Sequence, residues 1–328
     1  MSKRAFLFPG QGSQVTGMAK DFYDNFPESK AVFEAASKAS GLNVEELCFT
    51  ENDKLNITEY TQIALLTAEL AVMAAVQSKG INCDVSAGLS LGEYGAVVAS
   101  GAMTKEDAFA LIRKRGIYMQ EAVPQGGAMS AILNLDADKI AEVCKTVQDA
   151  GADAMADYRK EKNIPDYEGN LPYVVSVANY NSPVQTVITG RIDAVAVAGE
   201  KCIEAGARRA VPLKVSGPFH SALLKDAGAK LGKALESVNV SEIKIPYITN
   251  VTGDYVKSSS EIKGLLETQV SNSVRWVQTV KKLLEDGVDE FIELGPGTTL
   301  TSFVKRVNPE AKTVNISTVA DLEKYLGQ

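Results

Sequence analysis

CDVSAGLSLGEYGAVVA, residues 83–99, decides the fold. Residues 83–89 are short and largely apolar and read as a buried strand; residues 91–99 have the composition of a helix ended near Gly101. Gly88-Leu89-Ser90-Leu91-Gly92 joins them in a sharp turn, its glycines removing side chains where strand and helix meet. Working outward, residues 4–8 form another apolar run, broken by the loop Pro9-Gly10-Gln11-Gly12-Ser13. Residues 61–79 are apolar at helical spacing, with Gly80 placed as a stop. Thr104-Lys105-Glu106-Asp107 resembles a capping box with Asp in place of Glu or Gln, and opens a helix to about Met119. Residues 209–215, 244–250 and 290–294 read as further strands, the last followed by Gly295-Pro296-Gly297 and a helix to about Val307. Strands alternating with helices predict an α/β protein with a mostly parallel sheet covered on both faces. Ligands of such sheets bind beyond the C-terminal strand ends, in the loops carrying Gln11, Ser90, His220 and Asn250.

The middle departs from that pattern. Residues 128–135 and 184–190 are strand-like, with helical patterns between them. We read 127–212 as a small α+β subdomain inserted into a catalytic core made of 1–126 and 213–328. Residues 153–170, polar, charged and interrupted by Pro165, read as a surface excursion within it. Apolar residues make up 45% of the 328 and the formal net charge is -7, which argues for a real core and against nonspecific nucleic-acid binding. The N-terminal residues fall short of a signal-peptide core, and no later run reads as membrane-spanning. Cys48, Cys83, Cys144 and Cys202 stand far apart with no histidine nearby, which predicts buried, reduced thiols and no metal site. The expected location is cytoplasmic.

The chain has one histidine, His220, and one Gly-X-Ser-X-Gly, around Ser90. If Ser90 is a nucleophile activated by an imidazole, His220 is its sole candidate base. The motif's place at a strand-turn-helix junction favours a nucleophile; a serine capping a helix is the alternative. A tetrahedral intermediate on the way to an acyl ester needs two donors aimed at its oxygen, each worth roughly 3 kcal/mol. The N–H of Leu91, next after the serine, and that of Gln11 in the first glycine loop are the candidates, although those glycines alone need only make a turn. His220, in Gly217-Pro218-Phe219-His220-Ser221, reads otherwise as a structural histidine at a helix start. No acid stands in a recognisable motif beside it, and a backbone carbonyl serves equally to hold the ring. Arg115 shares a helix face with Ala108, Leu111, Ile112 and Met119. A guanidinium facing the core either meets an internal carboxylate or clamps one on a substrate.

Phe8-Pro9-Gly10-Gln11-Gly12-Ser13-Gln14, Gly88-Leu89-Ser90-Leu91-Gly92-Glu93-Tyr94, Arg115-Gly116 with Met119-Gln120-Glu121, Asn179-Tyr180-Asn181-Ser182-Pro183, the His220 segment and Glu293-Leu294-Gly295-Pro296-Gly297 resemble malonyl-CoA:acyl carrier protein transacylases, in the family's order and over nearly the whole chain. The resemblance implies a hydrolase-like core with a ferredoxin-like subdomain. It implies a malonyl group moved from malonyl-CoA to the phosphopantetheine thiol of acyl carrier protein through an ester on Ser90, with His220 as base and acid. It further implies Arg115 as carboxylate clamp, Gln11 and Leu91 as oxyanion donors, and the Gln269 carbonyl orienting His220. Asn179 and Asn250 are carried over either as site-lining or as structural residues, and Phe219 is expected to line the site and favour malonyl over a branched acyl group. Malonyl-CoA and acyl carrier protein are then the partners, with no permanently bound cofactor. The chain departs from the family at Leu89, where many members have His, and in the length of 153–170. Two rivals stand beside this reading. A serine esterase uses Ser90 and His220 without Arg115, and a noncatalytic carrier-binding scaffold keeps the fold without the chemistry.

Overall fold

The computed structural model describes residues 3–215 and 217–327; Met1, Ser2, Ser216 and Gln328, with the N-terminal reading in part, lie outside them. Among the described residues nine strands run in order: β1 Arg4–Phe8, β2 Val85–Gly88, β3 Gly127–Leu133, β4 Val175–Ser182, β5 Gln185–Arg191, β6 Arg209–Pro212, β7 Tyr247–Ile248, β8 Glu290–Leu294 and β9 Lys312–Ile316. A five-stranded sheet, β7-β2-β1-β8-β9, is parallel throughout. Its centre is apolar on both faces because both are covered. Along β1, Phe6 and Phe8 enter the core built around the Thr58–Ser78 helix, while Ala5 and Leu7 pack with Trp276, Val280 and Leu300 on the other side.

The second sheet, β4-β5-β3-β6, is antiparallel. The helices Ala137–Ala154 and Ile192–Glu204 pack on it through Ile140, Cys144, Val147, Val195, Ala198 and Cys202. Strand, helix, two strands, helix, strand in this spatial order is the ferredoxin-like arrangement foreseen for the insertion.

Two expectations need correction. The strand beginning at Arg209 does not lead the parallel sheet toward His220; Arg209–Pro212 pairs antiparallel with β3. His220 therefore lies on the connection returning from the small sheet to the core. Second, one later run does reach membrane-spanning length: Thr58–Ser78 has 21 residues and enough hydropathy, and 83% of its most apolar window is buried inside the fold, as a core helix requires. Residues 153–170 run along the surface, with Arg159 alone buried among them. They include the helix Ala156–Glu161, whose buried Arg159 donates to the Asp166 carboxylate at 2.9 Å and to the Ala152 carbonyl at 2.8 Å. All four cysteines are buried and unpaired.

Candidate active site

β2 ends at Gly88 and the chain turns through Leu89 into a short 3-10 turn, Ser90–Gly92, before the helix Glu93–Ala99. The turn is too tight for side chains: a Cβ on Gly88 would lie 2.0 Å from the Gly92 carbonyl, and one on Gly92 2.0 Å from the Phe8 oxygen. Ser90 takes a left-handed backbone, φ 57°, which lifts its side chain out of the turn. That strain is of order 1–3 kcal/mol and must be held by neighbours. Asn250 holds it: its Oδ1 accepts from the Ser90 N–H at 2.6 Å, and its Nδ2 donates to the Gly88 carbonyl at 2.6 Å.

His220, also left-handed at φ 59°, places Nε2 2.7 Å from Ser90 Oγ. Its Nδ1 faces two carbonyls, Gln269 O at 2.9 Å and Asn272 O at 3.1 Å. Carbonyls only accept, so Nδ1 carries the ring proton and Nε2 presents a lone pair to the serine hydroxyl. Burial, and secondarily the Arg115 charge, hold the imidazole's pKa down at about 4 despite those two hydrogen bonds. At neutral pH the ring is an uncharged base.

Arg115 is 1% exposed, on the Lys105–Ala122 helix that Thr104 caps. The Thr104 hydroxyl accepts from the Asp107 N–H and donates to its carboxylate, so the Thr-x-x-Asp signal marks a real helix start. No carboxylate among the described residues forms an ion pair with Arg115. Its partners are neutral: Nη1 donates to Gln62 Oε1 at 2.7 Å, and Nη2 to Gln269 Oε1 at 3.0 Å and Ser90 Oγ at 3.2 Å. Nε has no partner. Burial lowers the guanidinium's pKa, yet an arginine stays charged in proteins. The site thus holds a dry cation with an open donor beside the candidate nucleophile, a standing demand for an anion.

A cleft of about 290 Å³ opens over these groups. Gln11 and Leu91 line it beside Ser90 and His220; Asn179 and Phe219 line it from β4 and the returning connection. The Gln11 side chain donates to Thr58 Oγ1 at 3.0 Å, anchoring the first glycine loop. Leu89 lines the cleft next to Ser90. Asn250 is not on the cleft wall; it sits behind the turn. Arg115 and Gln269 lie beneath Ser90.

Gln62, Asn272 and Glu93 escaped the sequence reading. Gln62 is one of several buried polar residues on its helix, with Thr58, Thr61, Thr67 and Glu69, so nothing in the sequence singled it out. Asn272 acts through its backbone and leaves no signal. Glu93 stands inside the nucleophile motif and is fully buried, where desolvation pushes its carboxyl up to about 7 against hydrogen bonds from Thr249, Asn250 and Gln269.

A model of the acyl transferase domain matches residues 5–160 and 142–324. A malonyl CoA-acyl carrier protein transacylase of Bacillus subtilis (strain 168) is 42% identical over 325 residues, covering 98% of this chain and 96% of its own. The crystal structure of a malonyl CoA-acyl carrier protein transacylase from Clostridium perfringens superposes with a TM-score of 0.90 at 39% identity, covering 99% of this chain and 96% of that one. A type II PKS acyl-carrier protein in complex with its malonyl-transacylase supplies another, with a TM-score of 0.89 at 38% identity and 99% coverage of both chains.

Proposed function

The chain belongs to the malonyl-CoA:acyl carrier protein transacylase family, and we propose how its own residues carry that family's reaction. The protein moves a malonyl group from malonyl-CoA to acyl carrier protein, supplying fatty-acid synthesis, in a ping-pong transfer. The observation carrying the residue assignments is the contact of one Ser90 oxygen with both His220 Nε2 and Arg115 Nη2.

The malonyl carboxylate docks on Arg115, taking the open Nε–H and displacing the serine from Nη2. Its charge offsets the guanidinium that depresses His220, so binding strengthens the base. His220 Nε2 takes the Ser90 proton as Oγ attacks the thioester carbon, and the N–H groups of Gln11 and Leu91 hold the oxyanion. The C–S bond breaks, the CoA sulfur leaves with the proton from His220, and a malonyl ester remains on Ser90. The phosphopantetheine thiol then gives its proton to His220 and attacks the ester; the C–O bond breaks and Ser90 recovers its proton. Met129, Val187, Val215 and Phe219 make the cleft wall apolar, which protects the ester from water. The route needs no bound cofactor. We place the reaction in the cytoplasm, on a core of 1–126 and 213–328 with the insertion 127–212 roofing the cleft.

Of the basic pairs on the surface, Arg208, Arg209 and Arg306 line a groove that shares Gln185 and Phe303 with the catalytic cleft, whereas Lys282 pairs with Asp286. The groove is the docking side for an acidic carrier protein. Arg306→Glu is expected to slow transfer to carrier protein at low salt and spare acylation by malonyl-CoA; equal changes in both half-reactions refute the assignment.

Intact-protein mass after brief mixing with malonyl-CoA tests the whole route. Wild type should gain a malonyl adduct, Ser90→Ala none, and Arg115→Ala far less, with greater tolerance for uncharged acyl groups. Continuous CoA release without an adduct would make the protein a hydrolase, and neither adduct nor release a scaffold.

A further inference from the structure

Behind the reacting atoms, one carboxylate oxygen joins three segments. Glu93 Oε2 accepts from the Asn250 N–H at 3.1 Å and from Gln269 Nε2 at 2.7 Å. Asn250 is the residue that grips the strained turn, through the Ser90 N–H and the Gly88 carbonyl. Gln269 grips the other two groups: its backbone oxygen holds His220 Nδ1 and its side-chain oxygen holds Arg115 Nη2. Its Nε2 also donates to the Ser90 carbonyl at 2.8 Å. Because Glu93 is an acceptor, it forces the NH2 end of the Gln269 amide toward itself, which turns Oε1 onto Arg115.

We propose that Glu93 is a positioning residue for the transfer, its Oε2 setting the relative placement of Ser90, His220 and Arg115 by pinning Asn250 and Gln269 to the nucleophile's own helix. The inference rests on the proposed roles of those three residues in the transfer. What the arrangement uses is an acceptor at one point in space, not a charge. A protonated carboxyl with its hydrogen on Oε1 still accepts at Oε2, and so does the carbonyl of a glutamine. An aspartate keeps the charge but withdraws the oxygen by about 1.5 Å. A misplacement of about 1 Å at reacting groups can cost on the order of 10²-fold in rate.

Single-turnover acylation by malonyl-CoA and by acetyl-CoA, on wild type, Glu93→Gln and Glu93→Asp, tests this at a temperature where circular dichroism shows each protein folded. Glu93→Gln should acylate within about fivefold of wild type with its malonyl preference kept. Glu93→Asp should fall by about tenfold to 10²-fold at saturating malonyl-CoA and lose malonyl preference, because Arg115 is released along with the dyad. Gln269→Leu, which keeps the backbone carbonyl but cuts the side-chain link, should lose malonyl preference too, and decides the matter if Glu93→Asp does not fold. A folded Glu93→Asp protein with wild-type rate, or with its preference intact, overturns the inference, as does a Glu93→Gln protein as slow as Glu93→Asp. Wild type that forms no malonyl ester would instead sink the underlying assignment of Ser90.

Discussion

Two crossovers leave the same edge of the parallel sheet, either side of β1, and treat their helices differently. After β8, the Glu293 carboxylate accepts from the N–H groups of Leu300 and Thr301 at 3.0 and 2.8 Å and from the Thr301 hydroxyl at 2.9 Å. The first-turn donors of the Thr299–Val307 helix are thus consumed inside the protein. After β2, the strand ends in Gly88, which has no side chain to offer, and neither Leu89 nor Gly92 caps the helical segment beyond it. No carboxylate of the preceding strand takes the donors there; the Ser90 N–H goes to the side chain of Asn250, from a distant segment. The two turns also place strain differently. The β8 turn uses Gly295 and Gly297 at φ 123° and 84°, where glycine is at ease, while the β2 turn puts a serine at φ 57° and needs Asn250 to hold it. Structurally similar units thus differ in whether the preceding strand's own carboxylate or a side chain from a distant segment holds the turn.

The largest test of that contrast is a pair of alanines. Gly88→Ala drives a Cβ to 2.0 Å from Gly92 backbone atoms, which cannot yield, and should destabilise the fold by about 3–5 kcal/mol and abolish acylation. Gly297→Ala meets only Ser13 Cβ at 3.5 Å and carries the positive-φ penalty alone, about 1–2 kcal/mol. Denaturant melts and adduct mass read both, and equal losses would break the contrast. Next in size is Glu293→Ala, which strands two buried helix-end donors and should cost about 2–4 kcal/mol in the same melts. Acylation per folded molecule should hold, since the Leu300 and Thr301 N–H groups turn inward onto Glu293 although Thr299, Leu300 and Phe303 line the cleft. A folded Glu293→Ala protein with impaired acylation would mean that the β8 turn shapes the site after all.

Much of this contrast was legible in residue order. β1 and β8 match the expected 4–8 and 290–294; β1 is apolar from Ala5 to Phe8, as a strand buried on both faces requires, and β8 stops at the Gly295-Pro296-Gly297 turn. The turn around Ser90 was legible because glycine spacing carries its steric demand. The sheet to which residues 209–215 belong was not, since strand propensity says nothing about the partner; only pairing with β3 settles it. β4 escaped for another reason: polar residues interrupt it, and its pairing with β5 shifts register at two places. At the site, Ser90, His220 and Arg115 could be read, and Gln269 through its carbonyl, but not the contact of the Gln62 and Gln269 side-chain amides with Arg115. Gln62 and Gln269 come from distant segments and meet only in three dimensions.

The smallest expected effect is a flat line, and it sharpens the contrast most. Burial, and secondarily the Arg115 charge, disfavour a protonated His220, so the free enzyme's base should titrate at about 4 and not near 6.5. The imidazole must be neutral to take the serine proton, so acylation falls as pH drops through the folded pKa. At pH 5.5 about 97% of a base with pKa 4 is neutral, against about 9% of one at 6.5. The kcat/KM for acylation should therefore change little between pH 7.5 and 5.5 and break only near 4. Glu93 titrates at about 7 within that range, and an acceptor role predicts no limb there, whereas a charge role predicts one. Stability must be tracked alongside, because the signs differ. Between 6.5 and 4 the unfolded chain binds the His220 proton and the folded chain does not, so stability declines as pH falls through that window. Glu93, whose folded pKa lies above the ordinary carboxyl value of 4.5, binds its proton in the folded chain first and contributes in the opposite sense from 7 down to 4.5. A rate limb near 6.5 on protein shown to be folded would mean that His220 sits in water, and that the turn after β2 is no drier or more electropositive than any other.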